Sequence, residues 1–187
     1  MSVQQYTKDI LNELLSNTKY MGESQLSAFC DAIQQANHIF TAGAGRSGVA
    51  MRGFTNRLLH LGLSVSMMGE ISSPHSHAGD LVIIGSGSGT TESLVALANK
   101  AKKSGVALAL VTMDEESPIA LLADVVVVLP GVSPKLQHKG FEITSIQPMG
   151  SAFEQLSFIT YDAVILELMD RMNETSETMF SRHCDFE

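Results

Sequence analysis

The chain has 187 residues, of which 44% are hydrophobic and 17% are charged. This balance excludes a disordered chain and is sufficient for a single α/β domain over 1–187 with a buried core. The formal net charge of -8 argues against a nucleic-acid partner, and no apolar run is long enough to cross a membrane. Two cysteines are too few for a disulfide framework and the polar start lacks a signal sequence, so we expect a cytoplasmic protein.

Two amphipathic helices are predicted at the start of the chain, over residues 3–20 and 23–36. Their apolar stripes consist of Ile10, Leu11, Leu14 and Leu15 in the first and Leu26, Phe29, Cys30 and Ile33 in the second. Such stripes either cover a sheet or form a subunit interface. A DNA-reading helix pair is disfavoured because the segment is not basic.

The first strand is predicted at 38–42, and a glycine-rich turn leads from it into a helix. This turn fits the G-x-G-x-x-G pattern of dinucleotide-binding proteins at Gly43, Gly45 and Gly48. A dinucleotide site also needs an acidic residue where the next strand ends, about 20 residues further on. That strand is predicted at 63–67, and Glu70 comes slightly late. We therefore favour a small anion at this turn, for which Arg46 and Ser47 supply a cation and a hydroxyl.

The same order of strand, polar turn and helix recurs at 81–101, around a strand that is predicted to be buried on both faces. The turn combines glycines with four hydroxyl side chains, those of Ser86, Ser88, Thr90 and Thr91. The first N–H groups of a helix lack partners within the helix and carry partial positive charge, so this turn predicts a phosphate site. It contains no lysine and is therefore not the nucleotide-binding P-loop. The alternative is an ordinary strand-to-helix turn.

Further apolar runs predict strands at 106–112 and 124–129, with a short helix between them that opens at Ser117. This alternation of strands and helices with short links predicts a parallel sheet with right-handed crossovers. The irregular segment 130–147 is long enough to suggest a functional loop. A long helix follows it, and its predicted core-facing side chains are Leu156, Ile159, Ala163 and Leu166.

Several titratable side chains are open to two interpretations. Glu154 in the first turn of the long helix is either favoured there by the helix dipole or acts as a general base. His75 and His77 suggest a metal, but no further ligand pattern accompanies them, so we prefer exposed loop histidines. His60 either faces a cleft or packs in the interior. The polar tail, 174–187, is expected to be flexible by default.

Four motifs taken together resemble those of the 6-phospho-3-hexuloisomerases, a family within the sugar-isomerase (SIS) fold group. They are A-G-A-G-R-S-G at 42–48, I-G-S-G-S-G-T-T at 84–91, I-Q-P-M-G-S-A-F-E at 146–154 and R-H at 182–183. The resemblance extends over almost the whole chain. The usual family ending is R-H-x-N-L-E, and in this chain Asp185 and Phe186 replace Asn-Leu. An aromatic residue beside a histidine and an arginine hints that the tail docks.

The resemblance implies interconversion of D-arabino-hex-3-ulose 6-phosphate and D-fructose 6-phosphate, a step of the ribulose monophosphate route of formaldehyde fixation, with no metal or cofactor. It implies a three-layer αβα sandwich with a five-stranded parallel sheet, the flavodoxin-like, doubly wound SIS fold, assembled as a homotetramer. Carried over by motif, the phosphate is held by the side chains of Ser47, Ser86, Ser88 and Thr91 and by the backbone of Gly87, Gly89 and Thr90. The resemblance also implies that Glu154 is the proton-transferring base and that His183 is a second catalytic group, reaching a neighbouring subunit's site.

Two other functions remain open from the sequence. Regulators with this fold bind a phosphosugar without converting it, but they typically carry a DNA-binding domain for which the chain has no room. An isomerase of a different phosphosugar would use the same residues. In any such isomerase, Arg46, His60 or His183 could polarise the carbonyl oxygens of the substrate.

Overall fold

Five short apolar runs form one parallel sheet in the computed structural model, which describes residues 1–136 and 143–185. The strands are β1 (Ile39–Gly43), β2 (Val65–Met67), β3 (Leu81–Gly85), β4 (Ala107–Thr112) and β5 (Val125–Val128). The helices are α1 (Val3–Asn17), α2 (Glu23–Gln35), α3 (Gly45–His60), α4 (Glu92–Lys103), α5 (Ser151–Met172) and α6 (Ser176–Phe180). The predicted parallel α/β architecture is therefore confirmed, with strand ends shifted by one or two residues.

The strand order is β2-β1-β3-β4-β5, so the order reverses between β1 and β3. From β1 the chain moves to one edge of the sheet, where it forms β2. From β3 it moves toward the other edge, where it forms β4 and then β5. In open sheets of this kind, ligands bind in the crevice outside the carboxyl ends of the two strands where the order reverses. Gly43 is in register with Gly85, so β1 and β3 end side by side at this crevice.

Two hydrophobic cores lie on opposite faces of the sheet, because alternate residues of each strand point to opposite sides. On β3, Leu81 and Ile83 pack into the core formed with α2, α3 and α5. Val82 and Ile84 pack into the second core, formed with α4. These helix layers on the two faces produce the three-layer αβα sandwich.

The predicted core face of α5 is wrong at three of its four positions. Leu156 is buried, but Ile159 and Leu166 are 49% and 63% exposed and Ala163 is exposed as well. Tyr161 and Leu168 instead complete the buried side. The helix is apolar around most of its circumference, so its hydrophobic pattern does not select one face. In α1 the predicted apolar stripe is also only partly correct, because Leu14 is buried but Leu11 and Leu15 are exposed.

The tail is not a flexible terminus over its described part. α6 begins with a reciprocal capping box in which the side chains of Thr175 and Thr178 each bond the other residue's backbone N–H. Met179 is 8% exposed and joins the main core. The tail therefore docks on the domain, while Phe186 lies outside the described residues.

No helix within the described ranges is both long enough and apolar enough to span a membrane.

The first turn of α3 depends on a close backbone contact between two glycines. A Cβ added at Gly48 would lie 2.8 Å from the carbonyl oxygen of Gly43, a backbone atom that cannot rotate away. We predict that Gly48→Ala lowers the free energy of unfolding by about 1–3 kcal/mol, the usual cost of overpacking. Urea denaturation followed by circular dichroism measures this.

Gly53→Ala in the same helix is the matched control. Its new Cβ would meet the ring of Phe158, which is half exposed and can move. Alanine also gains about 1 kcal/mol of helix propensity over glycine. Equal destabilisation by the two substitutions would contradict the importance of the Gly43–Gly48 contact.

Candidate functional site

A cleft of about 370 Å³ lies where β1 and β3 end. Its walls come mainly from the turn into α3, the turn into α4, residues 133–135 and the start of α5. Six predicted site residues line it together with the predicted base Glu154; these six are Arg46, Ser47, Ser86, Gly87, Ser88 and Thr91. Residues up to about 110 positions apart in sequence thus meet at one edge of the sheet.

The N-termini of α3 and α4 both open into this cleft. Their N-cap residues, Ala44 and Thr91, have extended backbone and make no side-chain capping hydrogen bond. The first N–H groups of each helix therefore remain available and carry the positive end of the helix dipole. Two helix ends that converge on one small cavity favour a doubly charged anion such as a phosphate group.

The hydroxyl groups of the β3–α4 turn are organised by one another. Ser86 and Ser88 are 5% and 8% exposed, and the hydroxyl of Thr90 donates to Ser88 Oγ at 2.9 Å. Because Ser88 Oγ accepts this bond, its own proton is free to be donated toward the cleft. Gly89 donates its N–H to the carbonyl of Ser86 at 3.1 Å. Gly89 and Thr90 thus shape the turn but do not line the cleft.

Glycine is required at position 89. Its φ is +60°, and an added Cβ would lie 2.0 Å from Ser117 Oγ. The turn therefore packs against the segment after β4, which fixes the direction in which α4 begins.

Arg46 links the first turn to the start of α5. Its Nη1 lies 3.0 Å from a carboxylate oxygen of Glu154 and donates to Ser151 Oγ at 2.6 Å. The arginine side chain is 60% exposed and the glutamate side chain is 22% exposed. The carboxylate is thus held at the cleft wall by an adjacent cation, facing the turns into α3 and α4.

A second carboxylate anchors the backbone that leads into α5. Glu13 of α1 accepts hydrogen bonds from Ser145 Oγ at 2.6 Å, from the Ile146 N–H at 3.1 Å and from Gln147 Nε2 at 3.2 Å. The turn after this segment places Met149 at a left-handed φ of 44°. Glu13 thereby fixes the approach to the N-terminus of α5, and so the position of Glu154.

Sequence reasoning missed one cation of the cleft. Lys135 lines the cleft together with Ser133 and Pro134, in the irregular segment that was predicted to be functional. Its presence there depends on the path of the chain after β5, which no local motif encodes. The available signal was that Lys135 is a basic residue within that segment.

His183 and His60 lie far from the cleft within one chain. Their rings are 5.1 Å apart at the C-terminal end of α3, whereas Ser47 is in its first turn. His60 follows Ser47 by 13 positions in the same helix, which corresponds to a distance of about 20 Å along the helix axis. Both histidines line a second cavity of about 360 Å³, together with Arg57 and Asp162. Within one chain, His183 is therefore at the opposite edge of the sheet from the cleft.

The remaining histidine prediction concerns the loop before β3. The rings of His75 and His77 are 5.4 Å apart. Over residues 1–136 and 143–185, no group of three or more His, Cys, Asp or Glu side chains is arranged to hold a metal ion.

Beneath the cleft floor, Tyr161 of α5 stacks on Phe54 with ring centroids 4.6 Å apart. An added Cβ at Gly85 would lie 3.0 Å from the tyrosine hydroxyl, so the phenol sits directly behind the end of β3. Burial raises the pKa of Tyr161 far above its ordinary value, which keeps the phenol neutral. The floor of the cleft is therefore uncharged, and the charge is confined to its walls.

The arrangement of the sheet and cleft is that of a known domain class. The family model of the SIS domain matches residues 32–159, from within α2 to within α5, and the chain belongs to this family.

More specific relatives share nearly the whole chain. A Bacillus subtilis protein named 3-hexulose-6-phosphate isomerase is 46% identical over 187 residues, which is 100% of both chains. A Mycobacterium gastri protein of the same name is 38% identical over 95% of this chain and 88% of its own. A Methanococcus jannaschii crystal structure, described as inferring a function of 3-hexulose-6-phosphate isomerase, is 31% identical with a TM-score of 0.83 and covers 98% and 99% of the two chains. The resemblance stated from the motifs is confirmed.

The hydroxyl of Thr91 makes a specific test of the anion site. We predict that inorganic phosphate raises the melting temperature of the protein, because it binds the folded state only. Thr91→Val should raise the phosphate concentration needed for a given shift about tenfold, the equivalent of one hydrogen bond to a charged group. Differential scanning fluorimetry across a phosphate series measures both curves.

Thr160→Val is the isosteric control. Thr160 is 3% exposed, and its hydroxyl has no hydrogen-bond partner among the described residues. It lines a different cavity, between α2 and α5. An unchanged phosphate response in Thr91→Val, or an equal loss in both variants, would count against the cleft as the anion site.

Proposed function

We propose that the chain interconverts D-arabino-hex-3-ulose 6-phosphate and D-fructose 6-phosphate. The observation that carries this proposal is the position of Glu154, held by Arg46 across a small cleft from two open helix N-termini. An anion site alone would suit any phosphosugar-binding protein. A carboxylate facing that site adds the group that an enolisation needs. The names of the full-length relatives specify which sugar is enolised.

The phosphate of the substrate would occupy the carboxyl ends of β1 and β3. Ser47, Ser86, Ser88 and Thr91 would donate hydroxyl hydrogen bonds, and the N–H groups at the start of α3 and α4 would supply the backbone donors. Lys135 would add a positive charge from the irregular segment. These contacts are equally good in the ground state and the transition state, so they position the sugar rather than accelerate the chemical step.

Proton transfer would be carried out by Glu154. In the direction of fructose 6-phosphate, its carboxylate removes the proton from C2, and the C2–C3 enediol forms as the C3 carbonyl oxygen gains a proton. The same carboxyl group then returns its proton to C3, while the O2 hydroxyl loses its proton and becomes the new carbonyl. One proton leaves carbon and one returns, so no net charge, oxidant or cofactor is consumed.

Oxygen polarisation would come from the cations at the cleft. Arg46 already contacts Glu154 and is 60% exposed, so it can turn toward a bound oxygen. The 3-ketose cannot close a five-membered ring, because the O6 that would close it carries the phosphate. Fructose 6-phosphate closes through O5, so ring opening is needed in the reverse direction only.

His183 would act in the cleft of a neighbouring subunit. The exposed face of α3 and α5 carries apolar side chains, among them Val49 near the cleft and Leu166 beside the His183 cavity. Patches of this kind mark interfaces. A two-fold axis across this face would run the α3 helices of two chains in opposite directions. Such packing places the His183 end of one chain beside the Glu154 end of the other.

The assembly would be a homotetramer, since further exposed apolar side chains on α1 offer a second interface. Val3, Leu11 and Leu15 are 83%, 57% and 71% exposed. We also propose that residues 1–187 form one domain that works in the cytoplasm, where phosphosugars are made and used. The packing of Leu14 and Met179 in the main core supports inclusion of both ends of the chain.

Solvent-isotope exchange separates this function from the two alternatives. In D₂O the enzyme should introduce deuterium at C2 of the 3-ketose and at C3 of fructose 6-phosphate. Exchange only with another phosphosugar would indicate a different isomerase. Binding without exchange of any sugar hydrogen would indicate a sensor.

We predict that Glu154→Gln lowers kcat by about 10²–10⁴-fold, the typical contribution of a general base. The substitution keeps the size of the side chain, so KM for the 3-ketose phosphate should change little. A coupled assay of fructose 6-phosphate formation measures both constants. Glu167→Gln on the same helix, about 20 Å away, is the control and should leave kcat unchanged. Wild-type turnover in Glu154→Gln would remove this residue from the mechanism.

We predict that two inactive variants restore activity when their subunits are mixed. If Glu154 and His183 of one site come from different chains, a hybrid of Glu154→Gln and His183→Ala regains roughly a quarter of its sites, since each intact group comes from half of the chains. Light scattering should first give four chains per particle. Each variant taken alone through the same dissociation and reassociation is the control. No recovery in hybrids that have demonstrably exchanged subunits would mean that His183 does not act in trans.

A further inference from the structure

The C-terminal segment is held to the end of α3 by one arginine. Arg182 forms a two-armed pair with Glu174, with nitrogen–oxygen distances of 2.9 and 2.8 Å. Its Nη1 also donates to the backbone carbonyl of His60 at 2.9 Å. One guanidinium therefore joins three acceptors from two distant parts of the chain.

The acceptor on α3 is suited to a cation. His60 is the last residue of the helix, and the carbonyls of the last turn lack partners within the helix and form its negative end. Gly62 follows with a φ of +85°, and an added Cβ there would lie 3.2 Å from Arg182 Nε. Glycine at this position thus permits the left-handed turn and leaves room for the guanidinium.

The other acceptor is fixed from within the tail. Glu174 also accepts a hydrogen bond from the hydroxyl of Thr178 in α6. The hydrogen bonds from Arg182, and secondarily that from Thr178, lower the pKa of the Glu174 carboxyl below its ordinary value. Glu174 therefore stays charged at neutral pH, and the pair with Arg182 closes the segment 174–182 into a loop.

This closed segment, residues 174–182, determines where the side chain of His183 lies. The ring of His183 is 5.1 Å from that of His60 and 5.9 Å from that of Phe180. His60 is 4% exposed, whereas His183 is only partly buried. The imidazole of His183 thus lies beside the buried ring of His60 and the exposed ring of Phe180, and part of it remains accessible at the surface.

We propose that Arg182 is a positioning residue, which holds His183 in place for the cleft of a neighbouring subunit by tying Glu174 to the end of α3. This inference rests on the proposed role of His183 in trans. Arg182 itself would not touch the substrate. Arginine is needed because its planar fork reaches three acceptors at fixed angles, which the single ammonium group of lysine cannot do.

The test is a double-mutant cycle on kcat. Arg182→Ala should lower kcat about 10–10²-fold, the usual cost of a misplaced catalytic group, with KM for fructose 6-phosphate changed less than about threefold. Arg182→Lys should recover only part of this loss. In a His183→Ala background, Arg182→Ala should cause no further loss, because the arginine acts only through the histidine. Added guanidinium ion should partly restore Arg182→Ala but not the double variant.

Arg171→Ala is the matched control, since Arg171 also bridges two carboxylates, those of Asp31 and Glu167, on the side of α5 that faces α2. It should lower stability without changing kcat. Light scattering checks that each variant keeps its assembly. If Arg182→Ala loses the assembly, Glu174→Gln, which weakens the same pair without removing a side chain, takes its place in the cycle.

The outcomes distinguish the two proposals. Wild-type kcat in His183→Ala would overturn the trans role of His183 and, with it, this inference. A large loss in His183→Ala with none in Arg182→Ala would overturn this inference alone. So would an equal further loss when Arg182→Ala is added to His183→Ala, because the arginine would then act independently of the histidine.

Discussion

The register of Gly43 with Gly85 is the constraint on which the rest of the site depends. Both strands end at the same level in a small residue, and the chain leaves them toward opposite faces of the sheet. The helices that follow, α3 and α4, therefore begin side by side with their positive ends converging. A residue with a side chain at position 48 would separate the first helix from its strand, because its Cβ would meet a backbone carbonyl.

The proposed base is coupled to the proposed anion site through one ion pair. Arg46 belongs to the first turn and Glu154 to a helix more than 100 residues later, and the two side chains meet at 3.0 Å. In a sugar with phosphate on O6, the reacting C2 and C3 are a fixed number of bonds from the anion. If Glu154 is the base, its link to the turn proposed to bind phosphate would also fix its distance from these carbons. Glu13 supports the same position by ordering residues 145–147.

Local patterns were sufficient to predict the strands, the two glycine-rich turns at the cleft and the glutamate in the first turn of α5. Each of these is encoded within about ten consecutive residues. Local patterns did not predict that Ile159 and Leu166 are exposed, because a helix with one apolar side in the core and another apolar side exposed has no distinct polar face. Local patterns also did not predict the positions of Lys135 and His183. The place of Lys135 depends on the path of the chain after β5, and that of His183 on a contact with His60 across more than 120 residues.

An acidic protein that binds an acidic substrate presents an apparent conflict, since the net charge of -8 should repel a sugar phosphate. The conflict is resolved by the short distance over which an exposed charge acts in salt solution. At physiological ionic strength exposed charges are screened over about 8 Å, so carboxylates on distant surfaces contribute little at the cleft. The charged side chains that line the cleft are Arg46, Lys135 and Glu154, and two helix N-termini open into it. These nearby groups act on a bound phosphate more strongly than distant surface charges, so the overall charge of the chain says little about the ligand it can hold.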